Sequence, residues 1–318
     1  MNPIQRGKEQ TNEDSFLLSG QGAQYPGMMK DIAENCEDAK AVFETADQAL
    51  GRSISRLCFE GTQEELNLTH NTQPCVLAVD LAAWKAIKAA GISADAVAGF
   101  SLGEYAALVA AGVISMKDVF PLIQKRADFM QEAVPVGKGA MAAVMKLSAE
   151  EVEALCNETE GYVIPANYNC PGQIVVSGES EAIDKLLEKA KDRKIRAMKL
   201  AVSAPFHCEL MAPAAENLRE PLTQTVFSAP QIPVYMNVDA KPETEAENIR
   251  EKLVAQAMSP VRWEDTLRNM KEAGIDTFIE LGPGKTLSGF VKKTLGEEVR
   301  FFNVTDTETL EKTIEELR

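Results

Sequence analysis

The residues best placed to do chemistry are Gly99-Phe100-Ser101-Leu102-Gly103, a G-x-S-x-G pattern. In such a turn a sharp bend pushes the serine hydroxyl out of the backbone, and the flanking glycines avoid clashes. The N–H of the next residue, Leu102, then points from a helix N-terminus at a site where negative charge can develop. A Gly-Ser-Gly turn alone is common, so the reading depends on a strand before it and a helix after it. A serine also needs a base. The chain has only two histidines, His70 and His207. His70 sits in Leu68-Thr69-His70-Asn71-Thr72, a polar, loop-like stretch expected at the surface. His207 sits in Ser203-Ala204-Pro205-Phe206-His207-Cys208, where the chain returns to a cleft, and is the better candidate. No Asp or Glu stands out as a third member. A backbone or amide oxygen can orient the imidazole instead.

The elements around these residues read as an α/β fold. Phe16-Leu17-Leu18 is a buried strand running into the Gly-bearing loop Ser19-Gly20-Gln21-Gly22. Ala96-Val97-Ala98-Gly99-Phe100 is a second buried, parallel strand. Helix formers follow from Leu102 to Leu108, then a helix from about Met116 to Ala133. Residues 27–50 read as helical. So do residues 76–90, with Leu77, Leu81, Trp84 and Ile87 on one face and Gly91 as the stop. Phe278–Leu281 into Gly282-Pro283-Gly284 repeats the strand, turn, helix order. Gly284-Lys285-Thr286 imitates the end of a phosphate loop, but the first glycine of that motif would fall on Ile279.

From Gly139 to Leu200 the rhythm changes to β-α-β-β-α-β, the order of a ferredoxin-like unit. The expected architecture is a large parallel-sheet, α/β-hydrolase-like domain (15–137 and 202–318) with an inserted ferredoxin-like subdomain (138–201) and a cleft between them. Residues 1–14 are expected to be flexible.

With 318 residues, 45% hydrophobic and 25% charged, the chain can bury a sizeable core. A formal charge of −15 argues against nucleic acid or an anionic membrane as partner. The six cysteines form no C-x-x-C pair and no zinc-ligand pattern. They read as reduced thiols of a cytoplasmic protein. The polar N-terminus lacks the apolar core of a signal peptide.

Six motifs in order carry a resemblance that covers the chain from about Phe16 to Val304. They are Gly20-Gln21-Gly22-Ala23-Gln24, Gly99 to Tyr105 (GFSLGEY), Gln124-Lys125-Arg126, Ala166 to Gly172 (ANYNCPG), Pro205-Phe206-His207 and Leu281-Gly282-Pro283-Gly284. Together the chain resembles the malonyl-CoA:acyl carrier protein transacylase family, which includes the acyltransferase domains of fatty-acid and polyketide synthases. The resemblance implies that Ser101 is acylated and His207 is its general base. It implies that the N–H groups of Gln21 and Leu102 form an oxyanion hole and that Arg126 grips the free carboxylate of a malonyl group. A planar guanidinium suits that task, though an Arg on a helix is by itself most often a solvated charge. It further implies that the Gln256 main-chain carbonyl holds the histidine tautomer and that Gln73 and Asn169 line the cleft. Phe206, bulky and just before the histidine, goes with malonyl rather than methylmalonyl; lack of room for one methyl discriminates by only about 1–3 kcal/mol.

The implied reaction moves malonyl from malonyl-CoA to the phosphopantetheine thiol of acyl carrier protein through a malonyl-serine ester. It needs no metal or redox cofactor, and a monomer suffices. Two departures stand out: Phe100 where most members have His, and Ser19 where Pro often precedes the loop. Carrier proteins are usually acidic, so docking calls for a local basic patch. Lys185, Lys189, Lys191, Arg193, Lys194, Arg196 and Lys199 supply a candidate, unless they are simply a solvated face. The alternatives are an acyl-ester or thioester hydrolase sharing Ser101 and His207, and a non-catalytic docking domain of a polyketide assembly line.

Overall fold

The structure is a computed structural model, and it describes residues 13–202 and 204–318. The twelve N-terminal residues of the segment expected to be flexible lie outside the described residues, as does Ser203. Glu13 and Asp14, placed in that segment by the sequence, instead open the first strand.

Ten strands are described: β1 (Glu13–Leu18), β2 (Ala96–Gly99), β3 (Gly139–Met145), β4 (Val163–Cys170), β5 (Gln173–Glu179), β6 (Ala197–Lys199), β7 (Val234–Tyr235), β8 (Pro242–Glu243), β9 (Ile275–Leu281) and β10 (Arg300–Val304). They form two sheets. The larger has the order β10-β9-β1-β2-β7-β8 and is parallel except for the short edge strand β8. Phe16, Leu17 and Leu18 are buried because β1 lies at the centre with helices on both faces. Leu18 pairs with Gly99 on one side and Leu281 on the other, so β1, β2 and β9 end level with one another. Ligands of open parallel sheets bind beyond such carboxyl ends.

The second sheet has the order β4-β5-β3-β6, all antiparallel, which is the ferredoxin-like arrangement. Its helices, Ala149–Asn157 and Ser180–Asp192, contribute Val152, Leu155, Ile183 and Leu186 to one apolar core with Ala142, Val144 and Val176. Strand β4 is stitched to the large unit. Tyr168 N donates to Val261 O at 2.9 Å, and Val261 N donates to Ala166 O at 2.9 Å. This fixes one wall of the cleft against the loop that follows helix Ala246–Gln256.

Two helices differ from the sequence reading. Residues 27–50 form two helices, Lys30–Asn35 and Glu37–Leu50, because Cys36 adopts an extended conformation between them. The helix expected over 76–90 begins at Thr69 and runs to Ala89, so His70 is helical rather than in a loop. The polar run that suggested a loop ties the helix start to the turn before it instead. The Thr72 hydroxyl donates to Leu66 O and Leu68 O, and the Asn71 amide donates to Glu65 O.

Candidate active site

Ser101 lies two residues beyond β2, at φ 53°, ahead of the helix Gly103–Ala110. A non-glycine residue held there is strained, and such strain persists only where surroundings over-determine it. The flanking glycines let the chain fold this tightly. A Cβ on Gly99 would lie 2.0 Å from Gly103 C, and one on Gly103 would lie 2.4 Å from Leu18 O and Ser19 O. Both polar groups of the Ser101 backbone are engaged. Its N–H donates to Asn237 Oδ1 at 2.7 Å, and its carbonyl accepts from Gln256 Nε2 at 2.9 Å.

The Ser101 hydroxyl stands 2.7 Å from His207 Nε2, and His207 Nδ1 stands 2.9 Å from the Gln256 carbonyl oxygen. A carbonyl only accepts, so Nδ1 carries the proton and Nε2 accepts from Ser101 Oγ. Among the described residues no carboxylate orients this histidine, and none stood out for that role in the sequence. Burial, with the nearby Arg126 charge, pushes the His207 pKa down to about 4, against the Gln256 and Ser259 backbone. The imidazole is therefore neutral, the form a general base requires.

Arg126, on helix Met116–Glu132, is 1% exposed. Its Nη1 donates to Gln73 Oε1 at 2.7 Å, and its Nη2 donates to Gln256 Oε1 at 2.9 Å and Ser101 Oγ at 3.1 Å. The guanidinium carbon lies 5.4 Å from the centroid of the Tyr105 ring. Nε finds no partner, and among the described residues no carboxylate comes within ion-pair distance of the guanidinium. A buried cation paired only with neutral groups is costly.

These groups line a cleft of ≈ 370 Å³ between the two sheets. Gln21, Gln73, Asn169 and Phe206 line it as well. Leu102 is buried beneath it and caps the helix that starts at Gly103. Phe100 forms part of an apolar wall with Phe290 and Leu287. Its ring packs edge-on against Trp263, centroids 5.3 Å apart, and lies 6.3 Å from Phe290. His70 does not line this cleft. Its side chain is 53% exposed and meets Asp128 at 2.6 Å.

Residues 15–313 match the acyl transferase domain family. The malonyl CoA-acyl carrier protein transacylase of Bacillus subtilis (strain 168) is 46% identical over 308 residues, covering 96% of this chain and 97% of that protein. The chain belongs to the malonyl-CoA–acyl carrier protein transacylase family. The solved structure of the Coxiella burnetii member superposes with a TM-score of 0.93 at 38% identity, covering 97% of this chain and 98% of that one. A malonyl-transacylase solved in complex with a type II polyketide synthase acyl carrier protein (PlMCAT:AntF) gives a TM-score of 0.93 at 40% identity, covering 96% and 100%.

Three contributions to the site escaped the sequence reading. Asn237 holds the Ser101 N–H, the Gln256 side chain joins Arg126 to Ser101, and Glu104 lies behind both. A signal existed for Glu104 alone. It is the one charged residue in the otherwise apolar helix GEYAALVA.

Proposed function

We propose that Ser101 and His207 perform the malonyl transfer that defines the family. The chain is an acyl-carrier-protein S-malonyltransferase, moving malonyl from malonyl-CoA to acyl carrier protein. The observation that carries the residue assignment is a single oxygen, Ser101 Oγ, within hydrogen-bond reach of both a neutral histidine and a buried, unpaired arginine. A hydrolase of simple acyl esters has no use for that cation.

Malonyl-CoA enters with its carboxylate on Arg126, which offers its unpartnered Nε and can release Nη2 from Ser101 as the hydroxyl turns to attack. His207 Nε2 takes the Ser101 proton while Oγ bonds to the thioester carbon. The N–H groups of Gln21 and Leu102 receive the developing oxyanion, aided at Leu102 by the helix N-terminus. The carbon–sulfur bond breaks, and the imidazolium returns its proton to the coenzyme A sulfur. The phosphopantetheine thiol then attacks the malonyl-serine ester by the same steps in reverse. Phe206 bounds the acyl group, Gln73 holds Arg126, and Asn169 offers an amide to the cleft. The apolar wall of Phe100, Phe290 and Leu287 limits water near the ester.

We also propose that the chain works as two units, residues 15–137 with 202–318 and residues 138–201, in the cytoplasm and as a monomer. Among the described residues no helix is long and apolar enough to cross a membrane. Carrier protein is proposed to dock near β6, whose chain continues into the cleft-lining residues Leu200 and Val202. Lys185, Arg193 and Lys199 are tied to Glu160, Glu158 and Asp184, and Lys189 to the Glu158 carbonyl oxygen, so Lys191, Lys194 and Arg196 are the cations of this patch left for a partner.

Initial rates with both substrates varied test this reading. Parallel double-reciprocal lines are expected, with little loss of malonyl-CoA when carrier protein is omitted. Rapid loss without an acceptor would make the protein a hydrolase.

A further inference from the structure

Ser101 is held in its strained conformation by two side chains, and both trace to one carboxylate. Asn237 follows β7, the parallel neighbour of β2, and reaches across to take the Ser101 N–H at 2.7 Å while its Nδ2 donates to Gly99 O at 2.7 Å. Gln256, at the end of helix Ala246–Gln256, takes the Ser101 carbonyl at 2.9 Å. Glu104, fully buried in the first turn of helix Gly103–Ala110, grips both. Its Oε1 accepts the Asn237 backbone N–H at 2.6 Å, and its Oε2 accepts Gln256 Nε2 at 2.6 Å.

We propose that Glu104 is a positioning residue for the acyl transfer: its two carboxylate oxygens clamp Asn237 and Gln256, and through them hold both ends of the Ser101 peptide in the reactive geometry. This deepens the assignment of Ser101 as nucleophile and rests on it.

The chemistry of the donors supports an ionised clamp. Both groups facing Glu104 are N–H donors, so a carboxylate satisfies both while a protonated acid sets a donor against one of them. The helix N-terminus favours negative charge at this position. Burial works against it and raises the Glu104 pKa to about 8, with the Asn237 and Gln256 hydrogen bonds and the Arg126 charge pulling it back. No other side chain can substitute at this point. An amide has one acceptor oxygen for two donors, and an aspartate is one methylene too short to span them.

Gln256 also explains why the clamp matters to more than the serine. Its Nε2 is oriented by Glu104, which leaves Oε1 facing Arg126, while its backbone carbonyl takes His207 Nδ1. One residue thus touches nucleophile, base and cation, and Glu104 decides which way its amide points.

The test begins with wild-type acylation of Ser101 by malonyl-CoA, followed by intact mass under single-turnover conditions. Failure at that stage removes the nucleophile assignment, not the clamp. Given an acylated Ser101, Glu104→Gln is expected to slow acylation per active site about 10- to 100-fold, with half-saturation for malonyl-CoA changed less than about threefold. Asn237→Ala should lose rate as well. The double variant Glu104→Gln/Asn237→Ala should be little slower than the worse single variant, because both act on the same serine peptide. Should Glu104→Gln fail to fold, Glu104→Asp gives the same reading. Full acylation rate in the Glu104 variant, or strictly multiplicative losses in the double variant, would overturn the proposal. So would a loss confined to the folded fraction with normal rate per active site.

Discussion

Two strand ends meet at the floor of the cleft, and each carries a buried glutamate put to a different use. Beyond β2, Glu104 binds the residues that hold Ser101, with Arg126 near enough to offset its charge. In β9, Glu280 accepts the N–H groups of Leu287 at 3.0 Å and Ser288 at 2.7 Å, the start of helix Thr286–Leu295. Its titratable neighbour is Asp80, whose carboxyl burial and Glu280 push well above the usual carboxylate range, against the Ser19 backbone. Burial raises both glutamates, to about 8 and about 7. Glu280 lines the cleft and Glu104 does not. A titratable wall residue therefore need not be part of the chemistry; what its hydrogen bonds hold decides its role.

The contrast can be broken first at the cation. Arg126→Ala should lower kcat/KM for malonyl-CoA by roughly 10- to 100-fold, the worth of charged hydrogen bonds. Acylation by acetyl-CoA, which has no free carboxylate, should suffer much less. Equal losses on both donors would mean that Arg126 serves the fold alone.

The histidine sharpens the comparison through pH. A free imidazole would give an acid limb near its ordinary value of about 6.5. Because burial and Arg126 hold His207 near 4, no limb should appear near 6.5: the acylation rate should step down as Glu104 takes up its proton near 8, level off, and fall again only below about pH 5. A limb near 6.5 would contradict the environment described for His207.

At the other strand end, Glu280→Gln should cost about 1–2 kcal/mol of stability through the lost cap, with acylation of Ser101 within about threefold of wild type. The sign of the pH effect follows from the same burial. Glu280 binds its proton more tightly in the folded state, so its contribution to stability falls as pH rises from about 4.5 to about 7. Urea denaturation across that range should show a shallower fall for the Gln variant.

The smallest effect is expected outside the cleft. Reversing charge at Lys194 and Arg196 should raise the KM for carrier protein a few-fold and leave that for malonyl-CoA unchanged. Arg193 is a poorer test because it is paired with Glu158.

Much of this arrangement was legible from residue order. G-x-S-x-G between an apolar strand and a run of helix formers fixes a turn with few other solutions, and β-α-β-β-α-β spacing gave the second sheet. Having two histidines made the choice of base short. The limits were physical. Asn237 follows a two-residue strand, too short to show period-2 patterning, and it reaches Ser101 only through the β2–β7 pairing. The polar run Thr69–Gln73 looked like a loop because its side chains bond to the backbone of the turn before the helix, a habit such residues share with turns. Phe100 lost its puzzle once Trp263 and Phe290 were seen around it, residues more than 160 positions away in sequence. Long-range pairings of this kind leave no trace in spacing.

The most direct measurement is peptide mapping of the covalent intermediate. The protein is mixed with malonyl-CoA in the absence of carrier protein, quenched in acid and digested. One malonyl ester on Ser101 is expected, absent in Ser101→Ala and discharged when holo carrier protein is added before the quench. Malonyl-carrier protein formed with no adduct on Ser101, or with the adduct on another residue, would contradict the account.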